Sequence, residues 1–248
     1  MRVDFLGFPV DSLDMRDVLQ RVDGFICSGK RHHIMVFNAN KFWLMRRKSR
    51  LVEIAQQADL ILPERVVVML SRFLRSPLKS DVAGVALANE LLPYCEKKGH
   101  SIYFLGARSE VLESLMNKVR REHPALRVVG YHHGYFLQDG NEAVLEEIKA
   151  SKPDVLLVAF GSPLQEYWIR DHFDEIGVPV SIGVGGSFDV LAGLKKDAPR
   201  WIRKSGFEWL YRLIQDPKRY WKRYSIIIPF LLVTFLIEGI CGFKRRTH

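Results

Sequence analysis

The stretch Pro153 to Ser187, PDVLLVAFGSPLQEYWIRDHFDEIGVPVSIGVGGS, holds the reading that decides the fold. DVLLVAFG is a short β-branched and apolar run closed by a glycine, the pattern of a strand buried on both faces. GSPLQE turns the chain into a helix from Pro163, and PVSIGVGG then repeats the strand-and-glycine pattern. Outward from there the alternation continues. SIYFLG (Ser101 to Gly106) reads as a strand, with Ser109 placed to cap a helix whose face is Val111, Leu112, Leu115, Met116 and Val119. RVVG and a short helix from Asn141 follow. Upstream, Met15, Val18, Leu19, Val22, Phe25 and Ile26 fall at helical spacing before a strand at His33 to Phe37. One helix from about Lys41 to Ala58, a strand at Leu60 to Leu62 and a helix from Gly84 to Lys97 complete this half.

Repeated β-α-β units predict an α/β fold: a Rossmann-like, mostly parallel sheet flanked by helices, followed by a helical C-terminal appendage. A chain of 248 residues suits one such core with an extension, and 48% hydrophobic content argues against disorder. The boundaries read as 1–198 for the core, divided at 92/93, then 199–224 for a basic aromatic appendage and 225–248 for a hydrophobic tail. Cys27, Cys95 and Cys241 are scattered and odd in number, without a C-x-x-C pair, as expected in a reducing cytoplasm without structural zinc. The N-terminus, MRVDFLGFPVDSLDM, carries Asp4, Asp11 and Asp14 and is no signal peptide.

Ligands of open parallel sheets bind beyond the carboxyl ends of the strands. Here those ends are Phe37 to Asn40, Leu62 to Glu64, Gly106 to Arg108, Phe160 to Ser162 and Gly183 to Ser187. At GSPLQE a tight turn at Gly161 leads into a helix N-terminus whose N–H groups favour an anion such as a nucleotide diphosphate. Ser162 and Gln165 also have the spacing of a capping box, a purely structural use of the same turn. GVGGSFD (Gly183 to Asp189) lets backbone approach a ligand and offers Asp189 to a base or ribose; close helix–strand packing is the alternative. GARSEV (Gly106 to Val111) is only a fragment of a dinucleotide fingerprint. HHGYF (His132 to Phe136) reads as a loop after RVVG, where adjacent histidines rarely converge on one metal ion, so hydrogen bonding or stacking is expected. Glu64 ends a strand, where a carboxylate serves as general base unless it pairs with Arg65 at the surface.

The charge of +9 is unevenly placed. WIRKSGFEWLYRLIQDPKRYWKRY interleaves Trp201, Trp209, Tyr211, Tyr220, Trp221 and Tyr224 with basic residues, and an almost wholly apolar run, Ile226 to Ile237, follows. Aromatic-plus-basic segments bind single-stranded nucleic acid or sit at membrane interfaces. The apolar continuation favours the membrane and argues against nucleic acid. At about a dozen residues it is short of the roughly 20 that span a bilayer, so an interfacial or re-entrant anchor is expected. Burial of that surface in a homo-oligomer is a further expectation.

YFLGARSEV, HPALRVVGYHHGYF, GSPLQEYW, GVGGSFDVLAG and APRWIRKSGFEWLYRLIQDPKRYWKRY, in this order, resemble the WecG/TagA/CpsF glycosyltransferase family over about Ser101 to Tyr224. The resemblance implies an inverting transfer, without a metal or other cofactor, of N-acetylmannosamine, its uronic acid or a related hexose. The implied donor is a UDP-sugar and the acceptor a polyprenyl-diphosphate-linked sugar. The setting it implies is the cytoplasmic face of the bacterial inner membrane, in cell-surface polysaccharide synthesis. It points to Glu64 and Asn40 for catalysis and to Gln165, Asp189, His133 and Tyr135 for the nucleotide, and the glycine turns add Gly106, Gly161 and Gly185 to the nucleotide set. Arg212, Arg219, Lys222 and Arg223 are assigned to the lipid diphosphate and the membrane.

The N-terminal part departs from the family pattern. Glu64-Arg65 stands where the family has Asp-Gly, Asn38-Ala39-Asn40 where it has Thr-x-Asn, Asp81 where it has Arg, and Asp197 where Arg-Ala-Pro begins. A carboxylate on a longer arm matters, because a displacement of about 1 Å can cost roughly a hundredfold in rate. Arg65 or Arg72 is the expected substitute for the missing positive charge. A non-catalytic, membrane-bound relative that keeps the nucleotide pocket as scaffold or regulator is the alternative these departures raise.

Overall fold

The computed structural model describes residues 1–72, 77–136 and 141–244, excluding the side chains of 200, 203, 204, 219 and 235–244. The first half contains β1 (Arg2–Phe5), β2 (Phe8–Asp11), α1 (Met15–Cys27), β3 (His32–Phe37), α2 (Ala39–Met45), α3 (Ser49–Gln57), β4 (Leu60–Pro63), α4 (Arg65–Ser71) and α5 (Gly84–Lys98). Then come β5 (Ser101–Gly106), α6 (Ser109–Glu122), β6 (Arg127–His132), α7 (Asn141–Ser151), β7 (Val155–Ala159), α8 (Leu164–Asp171), α9 (Phe173–Ile176), β8 (Val180–Gly183) and α10 (Ser187–Leu191). The appendage is α11 (Arg200–Ser205), α12 (Glu208–Gln215) and α13 (Pro217–Lys244).

Six strands form one parallel sheet in the order β4-β3-β8-β7-β5-β6. The five strands from β4 to β5 are buried along their whole length, as their unbroken apolar runs require when helices cover both faces. Successive residues point to opposite faces. Ile34, Leu62, Phe104, Leu157 and Ile182 pack under α1, α5, α6 and α10. On the other face, Met35, Phe37 and Ile61 meet α2, α3, α4 and the β1–β2 hairpin, and Tyr103, Leu105, Leu156 and Val158 meet α7, α8 and α9. The N-terminal acids hold this arrangement together. Arg2 grips Asp11 through bonds of 3.0 and 2.8 Å, Asp11 accepts the Ile61 N–H at 2.8 Å, and Asp14 caps α1 in a reciprocal box with Asp17.

Three local expectations change. The helix expected over Lys41 to Ala58 is two, α2 and α3, because Arg46 to Arg50 offer no apolar residue to the core for more than a turn. Arg46 instead lies over the Phe8 and Phe42 rings, and Arg47 over Trp43. Ser109 does not cap α6: Gly106 and Ala107, both at positive φ, turn the chain so that Arg108 takes the N-cap position. His132 belongs to β6 rather than to the loop after it.

The appendage helix α13 packs back on α2, with Ile227 buried and the Phe230 ring 5.4 Å from Phe42. Trp221, Ile226, Leu232 and Val233 point outward. Among the described residues no helix is long and apolar enough to cross a membrane. Cys27 and Cys95 are free thiols; the side chain of Cys241 lies outside the described residues.

His33 on β3 is 4% exposed, and burial lowers its pKa to about 4. A depressed histidine contributes stability above its unfolded pKa near 6.5 and loses it as pH falls towards 4. That loss amounts to about 3 kcal/mol. His33→Leu should remove this part of the acid destabilisation, measured by urea unfolding at pH 7 and pH 4.5.

Candidate active site

The carboxyl ends of β3, β4, β7 and β8 open into a cleft. Asn38, Asn40, Lys41 and Glu64 line it from the β3–β4 side. Gly161, Ser162, Gln165, Gly185 and Asp189 line it from the β7–β8 side, and Tyr211, Arg212, Tyr220 and Arg223 form a wall from the appendage.

Glu64 is held where the β3–β4 ladder ends. Its N–H bonds to the Phe37 carbonyl at 2.9 Å, and its extended backbone is the N-cap of α4. Burial raises the carboxyl above the usual carboxylate range; Arg212 opposes that rise, Glu208 adds to it, and a hydrogen bond from Asn38 opposes it. Burial lowers the pKa of the Arg212 guanidinium, but the carboxylates of Glu208 and Glu64 outweigh it and leave the pKa raised. Arg212 bonds directly to Glu208 one turn earlier in α12. Two further contacts fasten the appendage across the mouth: Lys195 Nζ to Asp216 at 3.1 Å, and Gln215 Nε2 to the Lys196 carbonyl at 3.0 Å.

The alternative of a surface Glu64–Arg65 pair does not form; Arg65 bonds to Asp81 at 2.8 Å. These are two of the positions that depart from the family pattern, and they face each other. Arg65 therefore does not supply the cleft's positive charge, and Arg72 is exposed at the end of α4. Arg212, which lines the same cleft, is the guanidinium whose charge acts on Glu64.

The glycine turns also differ from expectation. Ser162 and Gln165 do not form a capping box: Pro163 is the N-cap of α8, and no side chain caps it. Ser162 Oγ donates to Glu166 Oε1 at 3.2 Å. Gln165 Oε1 accepts the N–H groups of Gly161 at 3.1 Å and Gly185 at 3.0 Å, so those two donors are already engaged and do not face an anion. Beneath them, Lys41 Nζ lies 2.6 Å from Glu166 Oε1, with the two side chains 1% and 0% exposed. A Cβ on Gly183 would overlap the Gln165 amide, which explains the glycine there.

Of the residues assigned to the nucleotide, Gly161, Gln165, Gly185 and Asp189 come together in the cleft. Gly106, His133 and Tyr135 do not line it and sit at the ends of β5 and β6. A Cβ on Gly106 would meet the Ala159 backbone at 2.8 Å, so close strand packing accounts for that glycine. His132 and His133 have ring centroids 4.5 Å apart. Among the described residues no group of three or more His, Cys, Asp or Glu side chains is placed to hold a metal ion. Lys222 is exposed outside the cleft, and the side chain of Arg219 lies outside the described residues.

Lys41 and Glu166 escaped the sequence reading. The signal was a charge on an otherwise buried helix face: Lys41 with Phe42, Leu44 and Met45, and Glu166 with Gln165, Trp168 and Ile169.

A parallel sheet with a carboxylate, glycine turns and a basic appendage converging on one cleft defines an α/β protein with its site at the carboxyl ends of the strands. The chain belongs to the glycosyl transferase WecG/TagA/CpsF family, whose sequence profile matches residues 3–245, and is accordingly a glycosyltransferase. It is similar to the N-acetylglucosaminyldiphosphoundecaprenol N-acetyl-beta-D-mannosaminyltransferase of Bacillus subtilis strain 168, 38% identical over 75% of this chain and 72% of that one. Proteins of the same description from Staphylococcus aureus strain MW2 and Bacillus spizizenii are each 33% identical. The first match covers 92% of this chain and 90% of the relative, the second 87% and 85%.

Gly183→Ala should cost roughly 1–3 kcal/mol, because the methyl must displace a buried, hydrogen-bonded amide. Urea unfolding of the variant against wild type measures it.

Proposed function

We propose that the protein transfers N-acetylmannosamine or a closely related sugar from a UDP-sugar to a polyprenyl-diphosphate-linked sugar, with inversion at the anomeric carbon. The observation that carries the reading is the carboxylate of Glu64 in the cleft, raised by burial and faced by Arg212 from the appendage. The activity of the relatives supports the acceptor class, since those proteins act on N-acetylglucosaminyl-diphosphoundecaprenol.

In this mechanism Glu64 takes the proton of the acceptor hydroxyl as that oxygen attacks the anomeric carbon and the bond to UDP breaks. Asn38, through its hydrogen bond, keeps the carboxylate oriented, and Asn40 lies beside it on the same turn. Charge growing on the departing UDP is offset by Arg212 and Arg223, both on the cleft wall, in a site partly closed to water. The enzyme works at the cytoplasmic membrane face in this reading. Support comes from the exposed Trp201, Ile214 and Trp221 on a segment rich in lysine and arginine.

Glu64→Gln should lower acceptor-dependent UDP release by about 10²–10⁴-fold while UDP affinity stays near wild type. The assay offers a panel of UDP-sugars and a polyprenyl-diphosphate-sugar to membrane-bound protein. Full activity in the variant removes Glu64 as base. UDP binding with no transfer from any donor points to a non-catalytic relative.

Only the ionised carboxylate accepts a proton, so the rate falls as pH drops through a raised pKa. The acid limb of kcat/KM should therefore lie above the ordinary carboxylate range. A wild-type profile flat down to pH 4.5 would count against the assignment.

A further inference from the structure

We propose that Lys41 and Glu166 form a buried positioning pair that locks the Gln165 amide, and that Gln165 serves the nucleotide by fixing two glycine turns rather than by touching it. The functional consequence rests on the reading that a nucleotide occupies the cleft.

The argument starts from donors and acceptors. A carboxylate only accepts hydrogen bonds and an amide NH₂ only donates them. Glu166 Oε1 receives Lys41 Nζ at 2.6 Å, Gln165 Nε2 at 2.8 Å and Ser162 Oγ at 3.2 Å. With its nitrogen held by Glu166, the amide of Gln165 has one orientation left, and its oxygen must face the other way. There it meets two groups that only donate, the N–H of Gly161 and the N–H of Gly185. Turning the amide over would set NH₂ against both N–H groups and oxygen against the carboxylate.

Those N–H groups belong to the turns after β7 and β8, each with its glycine at positive φ. One oxygen atom thus sets the spacing of two loops that build the cleft. The side chain has little surface to offer a ligand, since Gln165 is 2% exposed. Lys41 adds a third loop, because its N–H bonds to Asn38 Oδ1 at 3.0 Å on the turn that also carries Asn40. A buried ion pair is a weak means of stabilising a fold, since apolar residues of like volume often serve as well. Here the pair lies at the carboxyl ends of β3 and β7 and joins residues 125 apart in the chain, which fits a role in site geometry.

The test uses the full chain in three variants: Lys41→Met/Glu166→Leu, which removes both charges at similar volume, Gln165→Met, and the three substitutions together. Hydrogen exchange is read at the amides of Gly161 and Gly185, and UDP affinity by calorimetry. The lock predicts faster exchange at both glycines in every variant. It also predicts UDP Kd raised about tenfold in each, with no further rise in the triple variant because all three act on one element. Unchanged exchange in Lys41→Met/Glu166→Leu overturns the proposal, as does wild-type UDP affinity there alongside weakened affinity in Gln165→Met. Should the charge-free variant fail to fold, exchange is read in Glu166→Gln, which keeps the shape and removes the carboxylate, and unchanged exchange there overturns the proposal. A wild type that takes up no UDP removes the nucleotide reading, and the exchange result still decides the lock.

Discussion

Strand β8 hydrogen-bonds to β3 on one side and to β7 on the other, and the cleft hangs from those two ladders. Without β8 between them, the Asn38 turn and the Gly161 turn would belong to separate strand pairs. The register sets Gly183 opposite Met35 and Val158, so β7 and β8 finish within a residue of each other and β3 runs two residues further. Loops leaving that level converge, and the absence of a side chain at Gly183 lets the Gln165 amide enter between them. The buried Lys41–Glu166 pair then crosses the junction from the β3 side to the β7 side.

Several of the charges around the cleft are held in internal pairs. Glu166 holds Lys41, Asp216 holds Lys195, and Glu208 holds Arg212 beside Glu64. Opposite charges in a partly desolvated cleft interact more strongly than they would in water, which keeps the appendage wall in register with the sheet. The appendage is fixed a second time from behind, where Phe230 and Ile227 of α13 pack on α2, the helix that also carries Lys41. One short helix thus contacts both the floor of the cleft and the appendage helix α13.

In the N-terminal half, two positions read as departures from the family resemblance pair with each other. Arg65 enters where the family has glycine and Asp81 where it has arginine, and the two form an ion pair. Glu64 is thereby free of Arg65, and its carboxylate faces Arg212 instead. The pair is about a quarter exposed on each side, so its contribution is one of orientation more than of stability.

Strand runs, glycine turns and helix faces were legible in the sequence because each is a local pattern: period and composition along a few residues decide them. The parallel sheet, the five strand-end loops and most of the cleft's β7–β8 side followed from that. The break between α2 and α3 was missed because charge density, not periodicity, ends α2. Tertiary structure alone decided the rest. Whether Ser162 and Gln165 cap a helix or support Glu166, and whether Gly106 meets a ligand or a neighbouring strand, depends on partners far along the chain. The partner of Lys41 is Glu166, a pairing no spacing announces. A hydrogen bond or ion pair across 125 residues leaves no local periodicity, so it becomes visible only when the sheet brings its ends together.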